Sequence, residues 1–347
     1  MVMHMETKVN FIKKGKCFII AEAGVNHNGS VEMAKKMVDA VKNVGADAVK
    51  FQTFNAEKLV TKNAEKASYQ IKNSGEESQY DMIKRLELSN NEFKEIVEYA
   101  KKKNIILLSS PFEEESVNLL DEIGIPAFKV ASGEITNFPL LENIAKKQKP
   151  IILSTGMSTL GEVENAINLI GKFNDNIILM HCLTSYPAKK EDTNLNVINT
   201  LKNAFKRPVG FSDHTSGIEM SLAAVALGSC IIEKHFTLDK NLPGPDHKAS
   251  LEPHEFAVMV KSIRNVEKGM GNGIKKPTCD EIEIKKVVRK SIVAKNDILS
   301  GTILNSDMLD IKRPGTGIEP KYIDKLIGKE TIENIKKDTL IKWNQLK

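Results

Sequence analysis

The sequence predicts an α/β protein, a (β/α)8 TIM barrel followed by a small β-rich C-terminal domain. Three observations predict it. Eight short apolar runs are spaced along the first two-thirds of the 347 residues, each closed by a polar residue, and helical patterns fill most of the gaps. A β-α-β-α order calls for a parallel sheet, and eight units suggest one that closes on itself. No Gly-x-Gly-x-x-Gly follows the first run, although an open dinucleotide-binding sheet would carry it there.

In order, the runs are residues 17–21, 48–49, 105–108, 127–128, 151–153, 177–180, 209–211 and 231–232. The residues closing them are Glu22, Lys50, Ser109, Lys129, Ser154, His181, Ser212 and Glu233. In a closed parallel barrel the C-terminal ends of all strands share one rim, where functional groups collect. Two stretches break the rhythm. A polar segment, residues 58–80, precedes helical patterns at 81–88 and 91–103; placed after the second strand, it stands above the rim as a lid or binding wall. After a helical pattern at 253–267 the chain turns rich in Gly and Lys. Residues 268–288 are therefore expected to link a barrel domain, 1–267, to a small domain, 289–347. Strand-like segments at 290–294, 308–312 and 339–343 recur through that domain.

Composition excludes several classes. Charged residues make up 27% and are intermixed, and the formal charge of +5 lacks the dense basic runs and aromatics of a nucleic-acid binder. The apolar stretches are strand-sized and residues before Cys17 hold no secretory core, so a cytoplasmic protein without membrane contact is expected. Cys17, Cys182, Cys230 and Cys279 lie far apart with no Cys-x-x-Cys pair, as buried thiols do.

Strand residues two apart share a face, so Lys50 accompanies Gln52, Ser212 accompanies His214, and Glu233 accompanies His235. The last two strands are neighbours in a barrel. His214 and His235 can therefore meet on one divalent cation with positions left open for water or a substrate oxygen, or they are rim histidines satisfied by hydrogen bonds. Lys50 and Lys129 suit anion binding or a Schiff base. Ser109, Ser110, Ser132, Ser154 and Ser212 add hydroxyls to the same ring, and Gly133 and Gly156 permit close backbone approach to a ligand. Glu22 serves as acid, base or ion-pair partner of Lys50. Together these groups fit a metal-assisted enzyme acting on a phosphorylated, carboxylated small molecule.

Many separated motifs then agree on one family. Glu22-Ala23-Gly24-Val25-Asn26-His27-Asn28-Gly29, Lys50-Phe51-Gln52-Thr53, Ser110-Pro111-Phe112, Lys129 to Glu134 and Leu153 to Met157 resemble the sialic acid synthases. So do His181-Cys182, Tyr186-Pro187, Gly210 to Thr215, Glu233 to Thr237 and Gly244-Pro245-Asp246-His247. The tail from Arg289, with Lys312-Arg313-Pro314-Gly315-Thr316-Gly317, resembles the antifreeze-like (SAF) domain that ends those enzymes. The resemblance implies condensation of phosphoenolpyruvate with an N-acetylmannosamine-type sugar and water to a nine-carbon 2-keto acid and phosphate. It implies Mn2+ or Mg2+ on His214 and His235, with Glu22, Lys50 and Lys129 catalytic. Phosphoenolpyruvate would lie against Lys50, Ser110, Lys129, Ser132, Ser154 and Ser212, and the sugar against Gln52, Glu134, Thr184, Tyr186, Asp246 and Arg313.

The family's swapped small domain implies a homodimer in which Arg313 reaches the neighbouring subunit's sugar. N-acetylneuraminate synthase is the expected activity. An N,N'-diacetyllegionaminate synthase, acting on a 2,4-diacetamido-2,4,6-trideoxy sugar, is the alternative, because Phe51, Thr53 and Thr184 depart from one neuraminate-forming branch. A Schiff-base class I aldolase is a more distant one.

Overall fold

The computed structural model describes residues 12–13, 15–67, 71 and 77–347, which fall into two compact units, one ending at Asn272 and the other spanning Gly273–Lys347. In the first unit β1 (Phe18–Gly24), β2 (Ala48–Thr53), β3 (Ile106–Pro111), β4 (Phe128–Val130), β5 (Ile151–Ser154), β6 (Ile177–Cys182), β7 (Val209–Asp213) and β8 (Ile231–His235) form a closed barrel in sequence order. All neighbours pair in parallel, and β8 returns to β1 with Glu22 opposite His235. The predicted barrel is the observed one.

Strand alternation divides the side chains into two apolar sets. Phe18, Ile20, Ala48, Leu108, Ala127, Ile152, Ile178, Met180 and Ile231 make one cluster, which fills the inside of the barrel below the rim. Their strand neighbours, such as Ile19, Val49, Phe51, Leu107, Leu153, Leu179, Phe211 and Ile232, join the second and larger cluster against the surrounding helices. Burying each such side chain contributes about 1.5–3 kcal/mol, so a one-residue slip of any strand would be costly.

The strands run past their first polar residue. Glu22, Lys50, Lys129 and Glu233 lie within strands because their side chains point into the upper barrel, where each finds a charged partner. Two expected rim groups do not belong there. Ser109 and His181 have the outward parity: Ser109 Oγ donates to the Phe51 carbonyl at 3.2 Å and lies 2.7 Å from Thr53 Oγ1, and His181 Nε2 lies 2.8 Å from the Thr193 carbonyl oxygen.

The insertion after β2 forms helices Ala56–Leu59, Gln79–Leu86 and Asn90–Lys102, the last opened by a capping box between Ser89 and Glu92. Residues 68–70 and 72–76 of the predicted lid lie outside the described residues. Met82 and Leu86 bury against Val25 and Phe54, with Leu59, Ile83 and Phe112 packed on the same cluster. No helix among the described residues is long and apolar enough to cross a membrane.

In the second unit β9 (Ser291–Ala294) and β10 (Leu309–Lys312) pair antiparallel over a core that includes Ile292, Ile298, Leu304, Ile318, Leu326, Ile335 and Ile341. The segment expected to be linker as far as residue 288 is helical at Cys279–Val288. Thr278 and Glu281 close a capping box at its start, and neither Gly nor Pro interrupts the ten residues that follow.

Candidate active site

The C-terminal ends of the strands surround a cavity of about 260 Å3. Glu22, Lys50, Gln52, Ser110, Lys129, Ser132, Ser154, Thr184, Tyr186, Ser212, His214, His235 and Asp246 all line it. Barrel closure gathers these thirteen predicted residues from opposite ends of the chain. Glu134 and Arg313 are not among the lining residues. The Glu134 carboxylate accepts from Asn137 Nδ2 at 2.7 Å, and Arg313, in the second unit, donates from Nε to the Val288 carbonyl at 3.1 Å.

Four buried charges form the floor. Lys50 Nζ lies 2.6 Å from Glu22 Oε2 and 3.8 Å from Glu233 Oε2, and Lys129 Nζ lies 3.3 Å from Glu233 Oε1. Lys50 also donates to Ser110 Oγ at 3.3 Å, Lys129 to Ser154 Oγ at 2.8 Å, and Ser212 Oγ to Glu233 at 2.8 Å. Glu233 was legible as a rim position but not as the bridge between both lysines.

The two carboxylates differ. Burial raises Glu22 to about 7, outweighing the pull of Lys50. Burial acts on Glu233 as well, yet the charges of Lys129 and Lys50, with the Ser212 hydroxyl, overcome it and hold the group at about 2. Lys50 itself, despite burial, is raised by Glu22 and Glu233 and stays an ammonium.

Above the floor the His214 and His235 rings stand 5.4 Å apart between centroids, with the Tyr186 ring 4.3 Å from the first and 5.6 Å from the second. Burial lowers His214 to about 4 and His235 well below its ordinary value, so both imidazoles are neutral. His214 Nδ1 is paired with the Leu183 carbonyl, which leaves Nε2, and His235 Nδ1 is buried without a hydrogen-bond partner. Neutral rings with an uncommitted nitrogen are what a divalent cation requires. No group of three or more His, Cys, Asp or Glu side chains is placed to hold a metal among the described residues.

Ser132 is held by its neighbours: its Oγ accepts from the Gly156 amide at 3.0 Å and lies 3.1 Å from Cys182 Sγ. Burial raises Asp246 to about 6. The remaining wall is apolar. Val25, Phe54, Leu59, Met82, Ile83, Leu86 and Phe112 line the cavity and belong to one hydrophobic cluster, so their lining surface is continuous. Residue type did not announce Leu59, Met82, Ile83 and Leu86 as site residues, because apolar side chains on short helices ordinarily signal core; the position of the insertion, after a strand C-terminus, pointed here.

The chain has known relatives in sequence and in fold. Residues 37–275 match the NeuB family model and residues 289–347 the SAF domain. The chain belongs to the NeuB family. It is 52% identical, over 94% of its length and 99% of the relative's, to the N,N'-diacetyllegionaminic acid synthase of Campylobacter jejuni. The enzyme of the same name from Legionella pneumophila is 45% identical over 99% of both chains. Among solved structures, the N-acetylneuraminic acid synthetase of Leptospira borgpetersenii is similar with a TM-score of 0.71 and 39% identity, covering 78% of this chain and 90% of that one. The chain is thus a synthase of the sialic and legionaminic acid group, an enzyme that makes nonulosonic acids.

Proposed function

We propose that this NeuB-family member condenses phosphoenolpyruvate with a 2,4-diacetamido-2,4,6-trideoxy sugar of the mannosamine type and water, giving N,N'-diacetyllegionaminate and phosphate. The observation that carries this choice over N-acetylmannosamine is the continuous apolar wall of the cavity. A methyl at C6 and a second acetamido methyl gain from apolar burial there, whereas a hydroxymethyl group would give up water for no partner. The identities of 52% and 45% to legionaminic acid synthases support the same sugar.

In this reading the phosphoenolpyruvate carboxylate and phosphate take Lys50 and Lys129 with the hydroxyls of Ser110, Ser132, Ser154 and Ser212. Glu233, held ionised, bridges the two lysines before the anion arrives. C3 of the enol phosphate attacks the aldehyde carbon of the open-chain sugar, the C2=C3 π pair forming the new bond while the aldehyde oxygen takes a proton from water and becomes a hydroxyl. Water then adds at C2, and phosphate leaves by C–O cleavage. Glu22 is the base for that water, since its carboxyl near 7 accepts the proton at neutral pH while the permanently ionised Glu233 is a far weaker base. Thr184, Tyr186, Gln52 and Asp246 meet the sugar. His214 and His235 would hold a divalent cation, Mn2+ or Mg2+, which would supply Lewis-acid polarisation of the aldehyde oxygen. The donor chemistry favours Mn2+, because imidazole is a poor ligand for Mg2+.

The Schiff-base alternative lacks its nucleophile: Lys50 is ion-paired at 2.6 Å and protonated, and Lys129 is tied to Ser154 and Glu233. Arg313 and Glu134 remain sugar ligands in the proposal, Arg313 arriving from a second copy of the chain in a swapped homodimer.

The test is kcat/KM for N-acetylmannosamine against the diacetamido-trideoxy sugar, with Mn2+ and phosphoenolpyruvate, by phosphate release. A preference of about 10-fold or more for the second sugar is expected, the size that about 1–3 kcal/mol of apolar discrimination provides. Equal use, or preference for N-acetylmannosamine, refutes the sugar assignment; no phosphate from either refutes the reaction.

A further inference from the structure

The rim histidines are carried by two strands whose outward-facing residues form a buried ion pair with no part in the reaction above. Asp213 and Lys234 are register partners on β7 and β8, and each immediately precedes one histidine of the pair, His214 or His235. Both side chains are fully buried, 0% exposed, with Lys234 Nζ 3.0 Å from Asp213 Oδ2. The ammonium also donates to the Thr215 carbonyl. Asp213 Oδ1 in turn accepts from the Thr215 amide at 2.9 Å and the Thr215 hydroxyl at 2.8 Å, and Oδ2 accepts from Ser221 Oγ at 2.7 Å. His214 is thus bracketed. The residue before it and the residue after it are both gripped by a single side chain from the strand that carries His235.

Ion pairs this deeply buried are poor sources of stability, since the cost of dehydrating both charges offsets most of their attraction. An apolar pair at these positions would hold β7 to β8 as well. What an apolar pair lacks is a directional hold on the Thr215 carbonyl, and that hold fixes the backbone on which the His214 ring stands. On the cavity side the same turn is met by the Leu183 carbonyl at His214 Nδ1, by the Ala188 amide, which donates to the His214 carbonyl at 2.8 Å, and by the Tyr186 ring, 4.3 Å from the His214 ring.

We propose that Lys234 is a positioning residue for the histidine pair: by gripping Asp213 and the Thr215 carbonyl it sets the separation and orientation of His214 relative to His235, and so the affinity of the pair for a divalent cation. The proposal rests on the reading of His214 and His235 as metal ligands. Loss of a positioning contact of this kind typically weakens metal binding 10- to 100-fold without removing a ligand.

The experiment titrates metal-stripped full-length protein with Mn2+ alone, following free Mn2+ by its electron paramagnetic resonance signal, so that no turnover is needed. The informative variant is the double substitution Asp213→Asn with Lys234→Met. It leaves no buried charge unpaired, and the amide oxygen keeps both bonds to Thr215, so the fold is retained. The expected result is a thermal midpoint near that of the unsubstituted protein with Mn2+ affinity reduced at least 10-fold. Should that variant not fold, Asp213→Asn with Lys234→Gln, which likewise leaves no buried charge unpaired and replaces the ammonium by a neutral amide one bond shorter, carries the same expectation. Lys234→Arg, able to reach Asp213 and the Thr215 carbonyl together, is expected to bind within about threefold of the unsubstituted protein. Ser221→Ala, which removes a bond to the same carboxylate without touching Thr215, is expected to titrate unchanged.

Unaltered Mn2+ affinity in the folded double variant overturns the proposal, as does a loss in Ser221→Ala equal to that in the Lys234 variants, which would mark a general packing effect. The underlying metal assignment fails differently: His214→Ala and His235→Ala would then titrate like the unsubstituted protein, or that protein would itself take up no Mn2+.

Discussion

Replacing Glu22 by Gln separates the two carboxylates of the floor. The buried Glu22 carboxyl is raised from the ordinary 4.5 to about 7. At about 1.4 kcal/mol per tenfold in proton affinity, that corresponds to a folding penalty of about 3 kcal/mol when the group is forced to ionise. Below pH 4.5 it is protonated in folded and unfolded chains alike and the penalty is absent. As pH rises the unfolded chain ionises first, so stability falls progressively and the full loss is reached once pH passes the folded value of about 7. Gln has no proton to lose, so its packing cost is the same at every pH. The stability of Glu22→Gln relative to the unsubstituted protein therefore rises by about 3 kcal/mol between pH 4.5 and pH 8, or about 6–10 °C in midpoint for a unit of this size.

Far-UV circular dichroism of the barrel helices is the assay, because the single tryptophan, Trp343, lies in the second unit. The kinetic half of the same experiment expects activity to rise through pH 7 in the unsubstituted protein. In Glu22→Gln that limb disappears and kcat is reduced by about 10²–10⁴. A midpoint difference that stays within about 2 °C across that pH range, or a variant with unsubstituted kcat, rules out Glu22 as a buried base with a raised proton affinity.

His214→Ala and His235→Ala should each weaken Mn2+ binding by at least tenfold in equilibrium titration, and a chelator should abolish phosphate release. In Gly156→Ala the new methyl meets Thr184 Oγ1 and comes within 2.7 Å of Ser132 Oγ, so the KM for phosphoenolpyruvate should rise about 10-fold or more in initial-rate measurements with the sugar saturating. Arg313→Ala should raise the sugar KM while sedimentation shows an unchanged assembly; an unaltered KM and kcat would count against its arrival at the sugar site. Met82→Gln puts an amide into the apolar wall and should lower kcat/KM about 10-fold for the diacetamido-trideoxy sugar but little for N-acetylmannosamine, as competing-substrate assays can measure.

The barrel was legible because its strands are short apolar runs at regular spacing, a pattern that burial on both faces imposes. Strand ends were harder, since a polar residue was taken to close each strand. Lys50 and Glu233 instead continue into Thr53 and His235, their charges matched inside the barrel. Ser109 and His181 show the cost of reading position without parity: the apolar set Leu108 and Met180 already marks the inward face, which puts Ser110 and Cys182 inward and their neighbours outward. The helix Cys279–Val288 carried a readable start in Thr278-x-x-Glu281, but its exposed sequence lacks the one-sided apolar pattern that marks a packed helix.

Roles within the site were less legible than its membership, for a reason visible in the two glutamates. As sequence, Glu22 and Glu233 are both acids at the ends of apolar runs. Nothing local distinguishes them. Closure of the barrel puts β8 between β7 and β1, so Glu233 receives Lys129 from across the barrel, Lys50 from β2 and the Ser212 hydroxyl from its neighbour. Glu22, one strand further round, is left with Lys50 as its close cation and a weak 3.4 Å bond from Gln52. Two close lysines outweigh the cost of burial at Glu233, whereas at Glu22 the pull of Lys50, with a smaller one from Lys129, is opposed by the charge of Glu233 and does not. The division of labour between a fixed anion and a working base therefore arises from the balance of cations and neighbouring anion around two identical groups, a property of the closed barrel that no linear spacing encodes. It also explains why Lys129, which touches neither Glu22 nor the histidines, still matters for the proton: remove its charge and Glu233 moves upward toward Glu22, leaving Lys50 to hold two buried carboxylates at once.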